Sequence, residues 1–291
     1  MFDVNGIIIP LITPYDENGK VDSSAAKALM DHFIGKGIEG FYIGGSSGEC
    51  YLQTQEERKE FLKAVADANG GRAKLMAHIG AISTPNTIEL GQYCETLGYD
   101  AVSSTPPFYY GFSKAMVRGF YKDVVDAVNL PMCLYNAPGV TGVSFSIDEL
   151  DEMLSWDNVF GIKHTTTEMT VIERLKKKWP NKKIYHGEDY MLATGALMGA
   201  DGGIGSTYNV MPEKYLALWN CVEAKDFAGA VEIQKEINDV IDIILKPGFL
   251  AGIKGFLTLQ GLQVGEPRAP FTQLTDADWE MLKKAMVDYK L

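Results

Sequence analysis

The sequence predicts a parallel (β/α)8 barrel of the TIM type with a helical C-terminal extension. Three observations carry this expectation. Short β-branched apolar runs alternate with longer stretches of helical spacing, the pattern of βαβ units and a parallel sheet. Roughly eight such units, spaced by roughly 25–30 residues, run up to Ser206 of the 291-residue chain. A doubly wound sheet would place a glycine-rich turn straight after its first strand, but here Pro14-Tyr15-Asp16 follows.

Taken in order, Ile7 to Ile12 is the first apolar run, and Asp22 to Ile34 follows with Ala25, Leu29, His32 and Phe33 at helical spacing. Phe41 to Ile43 is the second run. Thr54 to Val65 is its helix, with Thr54 and Glu57 placed as a capping box. Lys74 to Ile79, Ala101 to Ser103 and Met132 to Tyr135 are the next runs, and the helical stretches between and after them are Thr84 to Leu97, Ser113 to Val128 and Ser146 to Leu154. The last of these opens with a second capping box, Ser146 to Glu149. Val159 to Lys163 and Lys183 to His186 are runs six and seven, each with its helix, Met169 to Lys178 and Tyr190 to Met198. Gly202 to Ser206 is a short glycine-rich eighth. From Val210 the pattern is wholly helical: Ala224 to Leu245, Phe249 to Leu259 and Asp276 to Met286 read as three extra helices. No Pro/Ser-rich linker precedes them. Residues 1–291 are therefore expected to form one domain, with 210–291 packed on the barrel.

Composition narrows the function. Hydrophobic residues make up 46% and charged residues 22%, enough for a globular domain with a water-poor interior. The net charge of -11 argues against a nucleic-acid surface and against an anionic membrane. An anionic substrate would have to be held by hydroxyls, backbone N–H groups or one isolated cation. Cys50, Cys94, Cys133 and Cys221 form no CxxC pair, which disfavours zinc and suits reduced thiols. The N-terminus has no basic leader, and no run approaches ~18 apolar residues, so a cytoplasmic location is expected.

Barrel enzymes carry their reactive groups at the C-terminal strand ends. Lys163 stands out there. Alternation puts Gly161, Lys163 and Thr165 on one face and Phe160, Ile162 and His164 on the other. The apolar bulk of Phe160 and Ile162 suits the outer, helix-packed face, so Lys163 should point into the barrel. Desolvation disfavours an ammonium, and the neutral amine is the form that attacks a ketone. Tyr135 ends the preceding strand, and adjacent strands lie about 4.8 Å apart. Its phenol could shuttle protons beside that amine.

Gly44 to Glu49, after the second run, combines three glycines with the hydroxyls of Ser46 and Ser47, a nest for a carboxylate without a formal cation. The same residues match G-x-S-x-G, but an elbow serine should lead directly into a helix, and a hydrolase needs a late histidine. None of His32, His78, His164 and His186 is late. The glycines at 202–205 could leave room for phosphate or for a sugar chain. No H-x-H or H-E-x-x-H spacing exists, so a metal is not expected.

Four motifs together resemble the dihydrodipicolinate synthase / N-acetylneuraminate lyase family: G-G-S-S-G-E at 44–49, Y-N-A-P-G-V-T-G at 135–142, G-I-K-H-T at 161–165 and G-A-D-G-G-I-G-S-T-Y-N at 199–209. The resemblance spans essentially the whole chain. It implies a (β/α)8 barrel, a homotetramer, a Schiff base on Lys163, Tyr135 as proton shuttle and no metal or other cofactor. Ser46 and Ser47 fall where the family binds the pyruvate carboxylate, and Tyr109 resembles an aromatic bordering a neighbouring subunit's site. The synthase branch carries an arginine where this chain has Val140, which disfavours an aspartate-semialdehyde substrate. The lyase branch fits better, with Thr165, Gly187, Asp189 and Ser206 lining the sugar pocket. The implied reaction cleaves N-acetylneuraminate to N-acetylmannosamine and pyruvate. One departure stands out: where the lyase pattern G-[YF]-D-E expects a second acid, this chain has Tyr190, with Glu188 two residues earlier. That departure keeps open a sister aldolase or dehydratase for another 2-oxo-3-deoxy sugar acid. A non-catalytic binding barrel is the reading from a different class, but it would not need Lys163, Tyr135 and the serine nest together.

Overall fold

The computed structural model describes residues 2–291. Eight parallel strands close a barrel in sequence order, with β8 returning to β1. They are β1 (Gly6–Leu11), β2 (Gly40–Ile43), β3 (Lys74–His78), β4 (Ala101–Ser104), β5 (Met132–Asn136), β6 (Val159–His164), β7 (Lys183–His186) and β8 (Gly202–Ile204).

Alternation along each strand divides the apolar residues into two layers. Ile8, Tyr42, Met76, Cys133 and Tyr185 fill the barrel, plugged at the N-terminal end by Phe2 and Val4. Ile7, Phe41, Leu134, Ile162 and Ile184 face outward into the larger layer beneath the helices. Lys163 faces inward, as the pattern around it predicts. Phe160 does not follow that pattern. The β5–β6 register pairs Met132 with Val159 but Cys133 with Gly161, so Phe160 is an extra, bulged residue. It packs on the inner plug, 6.2 Å from the Phe2 ring, instead of on the outer face. The bulge lets both Val159 and Ile162 point outward while Gly161 and Lys163 stay inside.

The glycine-rich eighth strand is explained by barrel closure. A Cβ on Gly202 would lie 2.2 Å from the Gly6 carbonyl oxygen across the β8–β1 seam. The strand ends at Ile204, and residues 206–209 form a 3-10 turn.

Both expected capping boxes form, at Thr54/Glu57 and Ser146/Glu149. The seventh unit differs from its pattern: a 3-10 turn, Asp189–Met191, precedes a short helix, Leu192–Leu197. After β8 comes the eighth barrel helix, Pro212–Glu223, and then three more, Phe227–Leu245, Phe249–Leu259 and Asp276–Asp288. Three extra helices is thus the right number. The tail is not wholly helical, however, because residues 260–275 are irregular. That segment crosses back over the barrel, where Tyr15 N–H donates to the Val264 carbonyl at 3.1 Å. Among the described residues, no helix is long and apolar enough to cross a membrane.

Candidate active site

Lys163 lies one residue before the end of β6, in register with Tyr135 on β5 and Tyr185 on β7. It is only 6% exposed. Its Nζ sits 4.2 Å from the Tyr135 ring centroid and 5.0 Å from that of Tyr42. Tyr135 in turn meets Tyr42 and His78 edge-on, at 6.1 and 6.0 Å. The amine therefore stands in an aromatic cage with no anion bonded to it. Glu188 and Asp189 are near enough for their charges to interact with that of Lys163, but neither forms a salt bridge with it.

His78 supports this cage. It is fully buried, and its Nδ1 lies 3.1 Å from the Gly44 carbonyl, which makes Nδ1 the protonated nitrogen. Burial, then the Arg58 charge, hold its pKa well below the usual value. A neutral His78 adds no positive charge beside the amine.

The Gly44–Glu49 segment forms a 3-10 turn over Ser46–Gly48, whose leading N–H groups have no partner within the turn. Ser47 is buried, and its Oγ lies 2.5 Å from the Oγ of Ser206 on the β8 turn. Ser46 is exposed, so the two serines are not equivalent. The Gly48 carbonyl accepts from Thr13 Oγ1 at 2.7 Å and from Gln53 Nε2 at 2.8 Å. These bonds hold the turn from behind.

At the far end, Asp189 is buried, and its Oδ2 accepts from the Thr207 N–H at 2.8 Å and from Thr207 Oγ1 at 2.6 Å. Its Oδ1 makes no bond among the described residues. Burial raises the pKa of Asp189, and the Thr207 bonds pull it back. Thr165 Oγ1 is buried without a partner. Gly187 makes room for it: a Cβ there would fall 1.9 Å from that oxygen. Glu188 is half-buried, its carboxyl raised by burial and by the Asp189 charge. Tyr190 is 43% exposed. Tyr109 does not join this chain's cluster. It is 84% exposed and adopts φ 80, left-handed backbone that is uncommon for a tyrosine.

Tyr42 and Tyr51 escaped the sequence reading. Tyr42 is signalled by alternation between outward Phe41 and Ile43. Tyr51, whose Oη meets Thr105 Oγ1 at 2.6 Å and whose ring meets Phe108 at 4.6 Å, follows a loop with no periodicity. Among the described residues no group of three or more His, Cys, Asp or Glu could hold a metal.

The chain matches the dihydrodipicolinate synthetase family over residues 3–288. The chain belongs to that family. It is 40% identical over 283 residues to the N-acetylneuraminate lyase of Rhizobium meliloti, which covers 97% of this chain and 94% of the relative. CdNal from Clostridium difficile, solved in complex with mannosamine, superposes with a TM-score of 0.96 at 30% identity, covering 99% of each chain. A catalytic lysine mutant of the Ruminococcus gnavus sialic acid aldolase superposes with a TM-score of 0.95 at 31% identity, covering 98% of this chain and 96% of that one. The family resemblance read from the four motifs is thereby borne out, and so is the barrel.

His164 and His186 are not part of the cage around Lys163. His164 bridges Asn136 Nδ2 at 3.1 Å and Thr166 Oγ1 at 3.0 Å. His186 has neither ring nitrogen bonded, and Gly195 lets it fit: a Cβ there would lie 2.7 Å from the imidazole. Burial lowers both to about 4. The unfolded chain then binds more protons than the folded one between that value and ~6.5, so stability must fall as pH drops through this window. Between pH 7 and pH 5 the loss should be about 2 kcal/mol per histidine. Thermal unfolding across that range should show it, and His186→Leu should flatten the acid limb. An unchanged slope in the variant would remove His186 from the account.

Proposed function

We propose that the chain is a class I aldolase that cleaves N-acetylneuraminate through a Schiff base on Lys163. The observation that carries this reading is the buried Lys163 amine, unpaired and 4.2 Å from the Tyr135 ring centroid. The names borne by its relatives support the substrate.

The steps follow from the geometry. The Lys163 amine adds to the C2 ketone of the open-chain sugar acid, and water leaves to give an iminium. Tyr135 takes the C4 hydroxyl proton, directly or through the substrate carboxylate. The C3–C4 bond breaks, its electron pair flows into the iminium, and N-acetylmannosamine departs. The resulting enamine is protonated at C3. Hydrolysis then releases pyruvate and the free amine. The iminium itself is the electron sink, so this sequence consumes no cofactor. The Ser46–Ser47 turn and Ser206 would hold the carboxylate by N–H and O–H donation, which suits a chain of net charge -11. Val140, 75% exposed in the short helix Pro138–Thr141, offers no cation for a second substrate carboxylate.

Sodium borohydride with pyruvate should inactivate the protein and leave a reduced adduct on Lys163, read by peptide mass. A protein unlabelled under these conditions would end the Schiff-base reading.

Thr165 Oγ1, Gly187, Asp189 Oδ1 and Glu188 would meet the polyol chain. Tyr190 favours a second reading, because an exposed phenol stands where an acid is expected: a sister enzyme for another 2-oxo-3-deoxy sugar acid. We expect Glu188→Gln to raise KM for N-acetylneuraminate about tenfold, the cost of one charged hydrogen bond, with pyruvate trapping unchanged. Cleavage rates on N-acetylneuraminate and on 2-oxo-3-deoxygluconate decide between the readings. Negligible turnover of the former would favour the sister enzyme.

We further infer a cytoplasmic homotetramer in which residues 1–291 act as one domain. The exposed Tyr109 and Tyr110 support the assembly by offering an apolar edge to a neighbouring copy. Light scattering on the purified protein tests it.

A further inference from the structure

One buried ion pair takes no part in the chemistry above. Lys254, on the helix Phe249–Leu259, places Nζ 2.9 Å from Glu49 Oε1, with side chains 2% and 0% exposed. The other oxygen, Oε2, accepts from the Arg268 backbone N–H at 2.7 Å. The Lys254 ammonium and the Arg268 guanidinium both lie over the Tyr15 ring, at 4.3 and 4.4 Å from its centroid. The Arg268 side chain also pairs with Glu57, the capping residue of the helix Gln55–Asn69 that follows the serine turn.

Two features make this more than a staple. A buried ion pair gains little stability over an apolar pair of the same size, because desolvation offsets the attraction. Glu49 also holds φ 60, ψ 31, the left-handed region that disfavours any residue with a Cβ, directly after the Ser46–Gly48 turn. The charge pair thus holds a backbone conformation that the chain would otherwise relax. Glu49 is the residue that closes the turn carrying those leading N–H groups and the buried Ser47 hydroxyl.

We infer that Glu49 and Lys254 are positioning residues for the carboxylate nest, so that the C-terminal extension sets the enzyme's grip on the pyruvate carboxylate. This rests on the proposed reading of the Ser46–Ser47 turn as the carboxylate site. It names a role for the extension that the reaction steps do not require.

The test is borohydride trapping at graded pyruvate, with steady-state kinetics on N-acetylneuraminate. Glu49→Gly removes the tether but permits the left-handed backbone. The double variant Glu49→Gln with Lys254→Met removes both charges and leaves none unpaired, so it serves if the glycine variant fails to fold. Each folded variant should need about tenfold more pyruvate for half-maximal trapping, while kcat at saturating sugar acid stays within about threefold. Half-saturation within about twofold of the parent, or a loss of kcat with half-saturation unmoved, would show a merely structural staple and overturn the inference. Ser47→Ala separates the two levels. If it weakens pyruvate binding and the Glu49 variants do not, the positioning claim fails and the nest stands. If neither weakens it, the nest reading fails as well.

Discussion

Lys163→Met should lower kcat by at least about 10⁴-fold, because no other amine can take over the nucleophile's role and the residual rate would come from binding alone. The aromatic cage offers no substitute: Tyr42 and Tyr135 flank the Nζ, His78 packs on the Tyr135 ring, and none of them can form an iminium. The same change should not destabilise the fold. Lys163 is buried and has no ion-pair partner to lose, and Met fills most of the same volume without a polar group to desolvate, so the thermal midpoint should stay level or rise. This opposition of effects is the useful signature. A variant that lost activity because it failed to fold would show a lowered midpoint. Retention of more than about a hundredth of the parent kcat would remove Lys163 from the covalent role.

Tyr135→Phe should cost about 10²–10⁴ in kcat, the usual contribution of one positioned proton shuttle. The ring would remain to pack edge-on against Tyr42 and His78, so the cage and the barrel should persist. Pyruvate should still bind and still be trapped by borohydride at long times, because the nest and the amine are intact. Stopped-flow trapping would then show a slowed approach to the same end point. A loss of less than about tenfold in kcat would mean that another group moves the C4 proton.

These two residues were legible in the chain because their placement depends on local rules. Side chains alternate along a strand, so outward Ile162 implies inward Lys163. Tyr135 stands on the neighbouring strand because consecutive βαβ strands pair in parallel. The capping boxes at Thr54 and Ser146 were equally legible, since each is closed by atoms three residues apart. Phe160 shows where the local rule stops. One extra residue opposite Met132 and Cys133 turns it onto the inner plug, and nothing in the spacing of the run marks a bulge.

By itself, then, the sequence determined the alternation of strands and helices, the inward amine with its phenol, and the glycine-and-serine composition of the turn after β2. Only the tertiary structure decided that Tyr42 would face Lys163 across the barrel, that Ser47 would meet Ser206 from 159 residues away, and that Lys254 would hold Glu49 from behind. Periodicity and caps are set by atoms a few residues apart. Contacts across the barrel are set by its closure and by the route of the tail, which no short stretch of chain encodes.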